Sequence, residues 1–122
     1  KNWRVAKSDD ELIAELRELQ GTPEEVLANA ELMSLTLPIL RADFLLCGHY
    51  AYRQRPALRC PLHVLGGADD RASEEQLLAW GQETLAEFSL QTFPGGHFFI
   101  HEHEDRVLAV LAQALEPHRL SA

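Results

Sequence analysis

The chain has 122 residues, 46% hydrophobic and 25% charged, a composition typical of one soluble globular domain. Eleven basic residues against nineteen acidic ones give a net charge of -8, which argues against a nucleic-acid partner because such a surface repels a polyanion. The sequence has no secretory signal and no apolar run near the roughly 18 residues that span a bilayer, so we expect no membrane association.

The first part of the chain, up to about residue 47, reads only as helices. Ser8 and Glu11 form a capping box, in which the hydroxyl accepts a helix-start N–H and the carboxylate reaches back. Gly21 is expected to end that helix, and residues 22–25 start another with proline at its first position. A third helix follows, which Pro38 should kink or split. Its apolar residues are Leu32, Leu35, Ile39, Leu40 and Phe44.

The second part alternates strands with helices. Short strands are predicted at residues 62–65 and 88–93, and a capping box opens a helix over residues 73 to about 87. A last helix, with acidic residues at its start, covers residues 104–117. This order favours a parallel sheet with right-handed crossovers. Because two parallel strands do not make a stable open sheet, the chain should be part of a larger fold.

A polar loop follows each predicted strand. Asp69 and Asp70 come after a Gly-Gly pair, and His97 comes after Pro-Gly-Gly. Both loops leave a parallel sheet at its carboxyl edge, where neighbouring strands are about 4.8 Å apart, so one aspartate can meet the histidine. Imidazole, with an ordinary pKa near 6.5, exchanges protons at neutral pH, and a carboxylate fixes its tautomer. Taken singly, each loop is also typical of an ordinary surface turn, but together they predict an acid–base pair.

The same residues resemble a known family. Residues 60–70, Cys-Pro-Leu-His-Val-Leu-Gly-Gly-Ala-Asp-Asp, and residues 93–99, Phe-Pro-Gly-Gly-His-Phe-Phe, are similar to the acid and histidine motifs of type II thioesterases. Residues 10–23 and 37–44 resemble that family's lid, so the resemblance covers nearly the whole chain. It implies an α/β fold, the C-terminal part of an α/β-hydrolase with parallel strands and crossover helices, preceded by a helical lid.

The resemblance also implies a division of the chain and an activity. Residues 1–50 would form the lid region, and residues 51–122 the hydrolase segment that carries the triad acid and histidine. Such enzymes hydrolyse acyl groups from the phosphopantetheine arm of acyl carrier or peptidyl carrier proteins in polyketide and non-ribosomal peptide synthesis, without a cofactor. His97 would act as general base and then general acid. Asp70 fits the family's spacing of glycine, two residues and aspartate, with Asp69 as the alternative acid.

The family's nucleophile, a serine in a Gly-x-Ser-x-Gly turn, has no counterpart among the five serines of this chain. We therefore expect the serine to lie outside the chain, in a missing N-terminal half of the same fold, and the chain alone to be inactive. Two alternatives stay open. One is another α/β-hydrolase, such as a carboxylester hydrolase or a medium-chain fatty-acyl thioesterase. The other is a non-catalytic binding module.

Two further groups of residues allow both a functional interpretation and a purely structural one. His97, His101 and His103 could suggest a metal site, but His101 and His103 are expected to be surface histidines beside acidic neighbours, so no metal is predicted. Arginines that interrupt a stretch without acidic residues could steer an acidic carrier protein, although solvated arginines are the simpler interpretation. They are Arg53, Arg55 and Arg59.

Two cysteines, Cys47 and Cys60, are too few to imply a disulfide framework. We expect two reduced thiols in a cytoplasmic protein, with a single bridge as the alternative.

Overall fold

The computed structural model describes residues 1–120, and the chain divides into two compact units, the first ending at residue 54 and the second starting at residue 55. Each unit has its own hydrophobic core. Within residues 1–120, no helix is both long and apolar enough to cross a bilayer.

The first unit consists of three helices: α1 (Asp9–Leu19), α2 (Glu24–Leu27) and α3 (Ala30–His49). Their inner faces form one apolar cluster, with Trp3 stacked on Phe44 at its margin, 4.6 Å between ring centroids. The buried members of the cluster are Leu12, Leu27, Met33 and Leu37. This all-helical part agrees with the predicted helices.

Capping interactions explain where α1 begins and ends. The Ser8 hydroxyl accepts from the backbone N–H of Glu11 at 3.2 Å, and the Ser8 N–H donates to the Glu11 carboxylate at 2.8 Å, so the predicted capping box is confirmed. The predicted cap at Gly21 was wrong by one residue, because Gln20 takes the left-handed conformation with φ of 57°. The Gln20 N–H donates to the carbonyl of Arg17 and closes the last turn.

Pro38 does not split α3, which runs without interruption from residue 30 to residue 49. Proline in a helix interior costs about 3 kcal/mol because it removes an N–H donor and crowds the preceding turn. The hydroxyl of Thr36 donates to the carbonyl of Leu32 at 2.8 Å, which adds a side-chain bond in that turn. Met33 and Leu37 are buried on the same stretch, and their packing offsets the cost of the proline.

The second unit is built on two parallel strands, β1 (Leu62–Gly67) and β2 (Phe88–Phe93), which pair in register along their whole length. The connection between them contains helix α4 (Glu74–Leu78), and β2 is followed by α5 (Phe99–Glu102) and α6 (Glu104–Leu115). The prediction of parallel strands with helical crossovers is confirmed. Strand β1 is two residues longer than predicted, because Gly66 and Gly67 continue the ladder.

The prediction of a helix up to about residue 87 was wrong in length, because α4 ends at Leu78. After α4 the chain continues as a 3-10 helix (Ala79–Glu83) and then becomes extended at Thr84. The buried hydroxyl of Thr84 donates to the carbonyl of Cys60 at 2.6 Å, and Thr84 bridges in parallel with Leu58. The carbonyl of Glu83 accepts from the N–H of Leu58, and the N–H of Leu85 donates to the carbonyl of Leu58. Pairing beside β1 thus takes backbone groups that a longer helix would have bonded internally.

The core of the second unit lies at the carboxyl ends of the strands. Phe93 is fully buried and stacks on Phe99, with ring centroids 5.4 Å apart, and Val107 of α6 closes the cluster. Leu65 and Val110 pack around it. This core therefore fixes the last residue of β2 and the start of the chain that follows it.

Candidate active site

The loop after β1 is held against the loop after β2 by backbone hydrogen bonds. The N–H of Ala68 donates to the carbonyl of Phe93 at 2.8 Å, and the N–H of Asp69 donates to the carbonyl of Gly95 at 2.9 Å. The two loops therefore extend the parallel ladder beyond the strands. We call residues 68–70 the acid loop and residues 94–97 the histidine loop.

Glycine at the end of β1 makes this close approach possible. A Cβ atom at Gly67 would lie 2.2 Å from the carbonyl oxygen of Gly96, closer than any side chain tolerates. Gly95 has a φ of 108°, a conformation that other residues rarely adopt, and a Cβ there would meet the carboxylate of Glu102. These glycines therefore permit the close contact between the two loops.

The structure brings Asp70 and His97 together. Nδ1 of His97 lies 3.1 Å from Oδ2 of Asp70, across 27 positions of sequence. An ionised carboxylate can only accept, so Nδ1 carries the proton and Nε2 keeps a free lone pair. The second oxygen of Asp70 accepts from the N–H of Arg71 at 2.6 Å, which orients the carboxylate. The side chain of Asp69, the alternative acid, is exposed.

The pair is unequally exposed. The Asp70 side chain is 16% exposed, whereas that of His97 is 51% exposed. The rings of Phe98 and His97 are perpendicular to each other, with centroids 5.1 Å apart and ring planes at 89°. Of the three residues that follow His97, Phe99 is buried and Phe98 contacts the imidazole, but Ile100 is exposed. A sheltered carboxylate behind an accessible imidazole can orient it and stabilise it when it gains a proton.

The histidines after His97 differ from each other in their contacts. The ring of His101 is exposed and stacks on Phe98. The expectation of a surface side chain was wrong for His103, which is half-buried against Phe93 and whose Nε2 lies 2.7 Å from the carbonyl oxygen of Pro94. Spacing alone gives no signal for this contact. Across residues 1–120, no group of three or more histidine, cysteine, aspartate or glutamate side chains could hold a metal ion.

Comparisons with known proteins agree on one family. The thioesterase domain family matches residues 2–115. The gramicidin S biosynthesis protein GrsT of Aneurinibacillus migulanus is 44% identical over 108 residues, which cover 88% of this chain and 42% of that protein.

Solved structures give the same picture. The type II thioesterase BorB from the borrelidin biosynthetic cluster superposes with a TM-score of 0.81 at 42% identity, covering 94% of this chain and 47% of that one. The thioesterase RedJ from the prodiginine pathway in Streptomyces coelicolor gives a TM-score of 0.83 at 33% identity, covering 94% and 46%. The chain thus spans somewhat less than half the length of these relatives. With a family match that covers almost all of its residues, the chain belongs to the thioesterase domain family.

Proposed function

We propose that this chain supplies the acid and the histidine of a type II thioesterase, which removes acyl groups from the phosphopantetheine arm of carrier proteins in polyketide and non-ribosomal peptide synthesis. The observation that carries the proposal is the 3.1 Å contact between His97 and Asp70 at the carboxyl edge of a parallel sheet. Membership of the thioesterase domain family and the likeness to BorB and RedJ support the reaction class and the pathway type.

In the proposed reaction, Nε2 of His97 takes the proton of a serine hydroxyl as the serine oxygen attacks the thioester carbonyl. The carbon–sulfur bond breaks, the acyl group stays on the serine, and the imidazolium returns its proton to the departing thiolate. Water then attacks the acyl-serine with His97 again as base, which releases the free acid and restores the serine. Asp70 keeps the proton on Nδ1 in the resting ring and stabilises each imidazolium.

The serine is assigned to a part of the fold outside this chain, which spans less than half of its relatives. Two exposed apolar side chains of the second unit support this assignment, because Trp80 is 54% and Leu85 is 77% exposed. The sheet beside them has two strands in the part of the chain that the structure describes, too few for a stable open sheet. We infer that further strands and helices of the same fold pack here and carry the nucleophile. The chain by itself is then inactive.

The helices of residues 1–50 are assigned as the lid of this enzyme. Helix α3 carries a line of apolar side chains that face away from its own core, including Leu35 at 68%, Ile39 at 63% and Leu46 at 74% exposure. An apolar helix face of this kind suits the guidance of an acyl chain and the gating of access.

We further assign the enzyme to the cytoplasm. Cys47 and Cys60 are both free, exposed thiols, and a reducing compartment keeps thiols in this state.

The proposed partner is an acyl or peptidyl carrier protein. Carrier proteins of such synthases are generally acidic, and the arginines Arg53, Arg55 and Arg59 are all exposed. Reversing Arg53 and Arg55 to glutamate should slow hydrolysis of a carrier-bound acyl group and leave hydrolysis of a small thioester unchanged. An equal loss on both substrates would remove the arginines from the docking surface.

The experiment that tests the function uses the whole protein, including the region that carries the nucleophile. Rates of acyl release are compared for an acyl-phosphopantetheinyl carrier protein and for a simple carboxylic ester of the same acyl group. The proposal expects the carrier thioester to have the higher kcat/KM. A preference for the simple ester would identify a carboxylester hydrolase, and no turnover of either would favour a binding module.

A further inference from the structure

His103 holds the histidine loop from the side opposite the acid loop, and we propose that it is a positioning residue for His97. The inference deepens the proposed function and rests on it. His103 is separated from the reacting groups by the loop itself, so its effect on catalysis would pass through the backbone.

The ring of His103 is fixed on two sides. Its Nε2 lies 2.7 Å from the carbonyl oxygen of Pro94, and its face stacks on the fully buried ring of Phe93 at 5.9 Å between centroids. Its backbone is held too, because its N–H donates to the carbonyl of Phe99 and its carbonyl accepts from the N–H of Val107, each at 2.9 Å. Because His103 is anchored at the start of α6, its bond to Pro94 can fix the loop relative to that helix.

Three successive carbonyls, those of residues 93–95, alternate between two hydrogen-bond partners, the acid loop and His103. The carbonyls of Phe93 and Gly95 accept from the amides of Ala68 and Asp69 in the acid loop. The carbonyl between them, that of Pro94, accepts from His103. Without His103 the loop would keep its bonds to the acid loop and one longer bond, 3.2 Å, from the N–H of Phe99 to the carbonyl of Gly96.

The sequence of the loop makes this second attachment important. Pro94 is followed by two glycines, which restrict the backbone least of all residues, and His97 comes directly after them. The distance from Nδ1 of His97 to Asp70 therefore depends on bonds that fix residues 94–96. A displacement of about 1 Å at a catalytic group can lower a rate about 100-fold.

The bond from His103 does not depend on the charge of its ring. A carbonyl oxygen can only accept, so Nε2 of His103 carries the proton in the neutral ring as well as in the imidazolium. The contact is therefore open to both forms of the ring. This separates a positioning role from a role in proton transfer, which would consume the Nε2 proton.

The test uses the whole enzyme with its nucleophile region and three variants. His103→Phe keeps an aromatic ring against Phe93 and removes the donor. His103→Gln restores an amide donor at a similar distance from the backbone. His118→Phe is the matched control, because His118 is an exposed histidine in the 3-10 segment after α6. Each variant is measured for kcat and KM on an acyl-phosphopantetheinyl carrier, and the His97 tautomer is read from the ¹⁵N shifts of its ring.

We expect His103→Phe to lower kcat about 10- to 100-fold with KM within about 2-fold, and to lower the fraction of His97 that is protonated on Nδ1. His103→Gln should retain kcat within about 3-fold and the wild-type tautomer, and His118→Phe should match the wild type. Thermal unfolding identifies a variant that fails to fold, and His103→Leu then serves as the donor-free variant.

Two results would overturn the inference. One is a folded donor-free variant with the wild-type kcat and the wild-type His97 tautomer. The other is a His103→Gln variant that loses as much as the donor-free one, because packing rather than the hydrogen bond would then matter. If the wild-type enzyme releases no acyl group, the proposed function fails, but the tautomer readout still tests whether His103 positions His97.

Discussion

Replacing Asp70 by asparagine tests the acid–base pair at its least exposed member. Asparagine has almost the same shape but no charge, and its amide can donate to Nδ1 of His97. The ring would then carry its proton on Nε2, which leaves no lone pair to accept the serine proton. The substitution thus removes two contributions at once, the charge that stabilises the imidazolium and the hydrogen bond that selects the productive tautomer.

The size of the charge contribution follows from the observed distance. Unit charges 3.1 Å apart, as between Asp70 and His97, attract each other by roughly 5 kcal/mol at an effective dielectric constant of about 20, and by roughly 1 kcal/mol in bulk water. Since each 1.36 kcal/mol corresponds to tenfold in rate, these limits are about 10⁴-fold and 10-fold. Because the Asp70 side chain is only 16% exposed, we expect Asp70→Asn to reduce kcat by about 10³- to 10⁴-fold.

The assay is single-turnover release of a labelled acyl group from its phosphopantetheinyl carrier by the whole protein. Asp69→Asn is the matched control, because Asp69 lies next in the chain and contributes its backbone N–H, not its exposed side chain, to the loop contact. It should retain the wild-type rate within about 3-fold. An Asp70→Asn variant with the wild-type rate would refute the role of Asp70, and a large loss in Asp69→Asn alone would make Asp69 the acid.

Three further substitutions, two of them paired with a control variant, test the loop contact of the second unit and the helices of the first. Gly67→Ala should lower the rate of acyl release at least about 10-fold, because its Cβ would lie 2.2 Å from a loop carbonyl, whereas Gly96→Ala, with no atom within 4 Å, should stay within about 3-fold. Leu12→Ala should destabilise the first unit by about 2–5 kcal/mol in urea unfolding, and Leu35→Ala, 68% exposed, by less than about 0.5 kcal/mol; equal effects would contradict the observed core. The backbone bond at the helix start lowers the pKa of Glu11 below its usual 4.5, so its contribution to stability is present above about pH 4.5 and is lost as pH falls through the lowered pKa. Glu11→Gln should remove this component from the pH dependence of thermal unfolding, and an unchanged profile would count against it.

Local signals in the sequence were sufficient for much of the fold. The hydroxyl of Ser8 and the carboxylate of Glu11 satisfy helix-start donors within one turn, so the sequence alone specifies that boundary. The parallel pairing of β1 and β2 follows from the strand–helix–strand order. The meeting of Asp70 with His97 could be anticipated in the same way, because both loops leave one edge of the sheet.

Other features depended on contacts between distant residues. The helix after β1 is short because the backbones of Glu83 and Leu85 bond to Leu58, and no local pattern encodes that pairing. Pro38 is tolerated inside α3 because burial of neighbouring apolar residues outweighs its local cost. His103 resembled a surface residue because its partners, Phe93 and the carbonyl of Pro94, come together with it only in the folded second unit.

The most direct test of the central claim is the rate of acyl release from a carrier thioester by the His97→Ala variant of the whole protein. The claim is that the His97 imidazole, held by Asp70, transfers the protons of this reaction. It predicts a loss of at least about 10³-fold with the fold intact. A folded His97→Ala enzyme that releases acyl groups within about 3-fold of the wild-type rate would contradict the account.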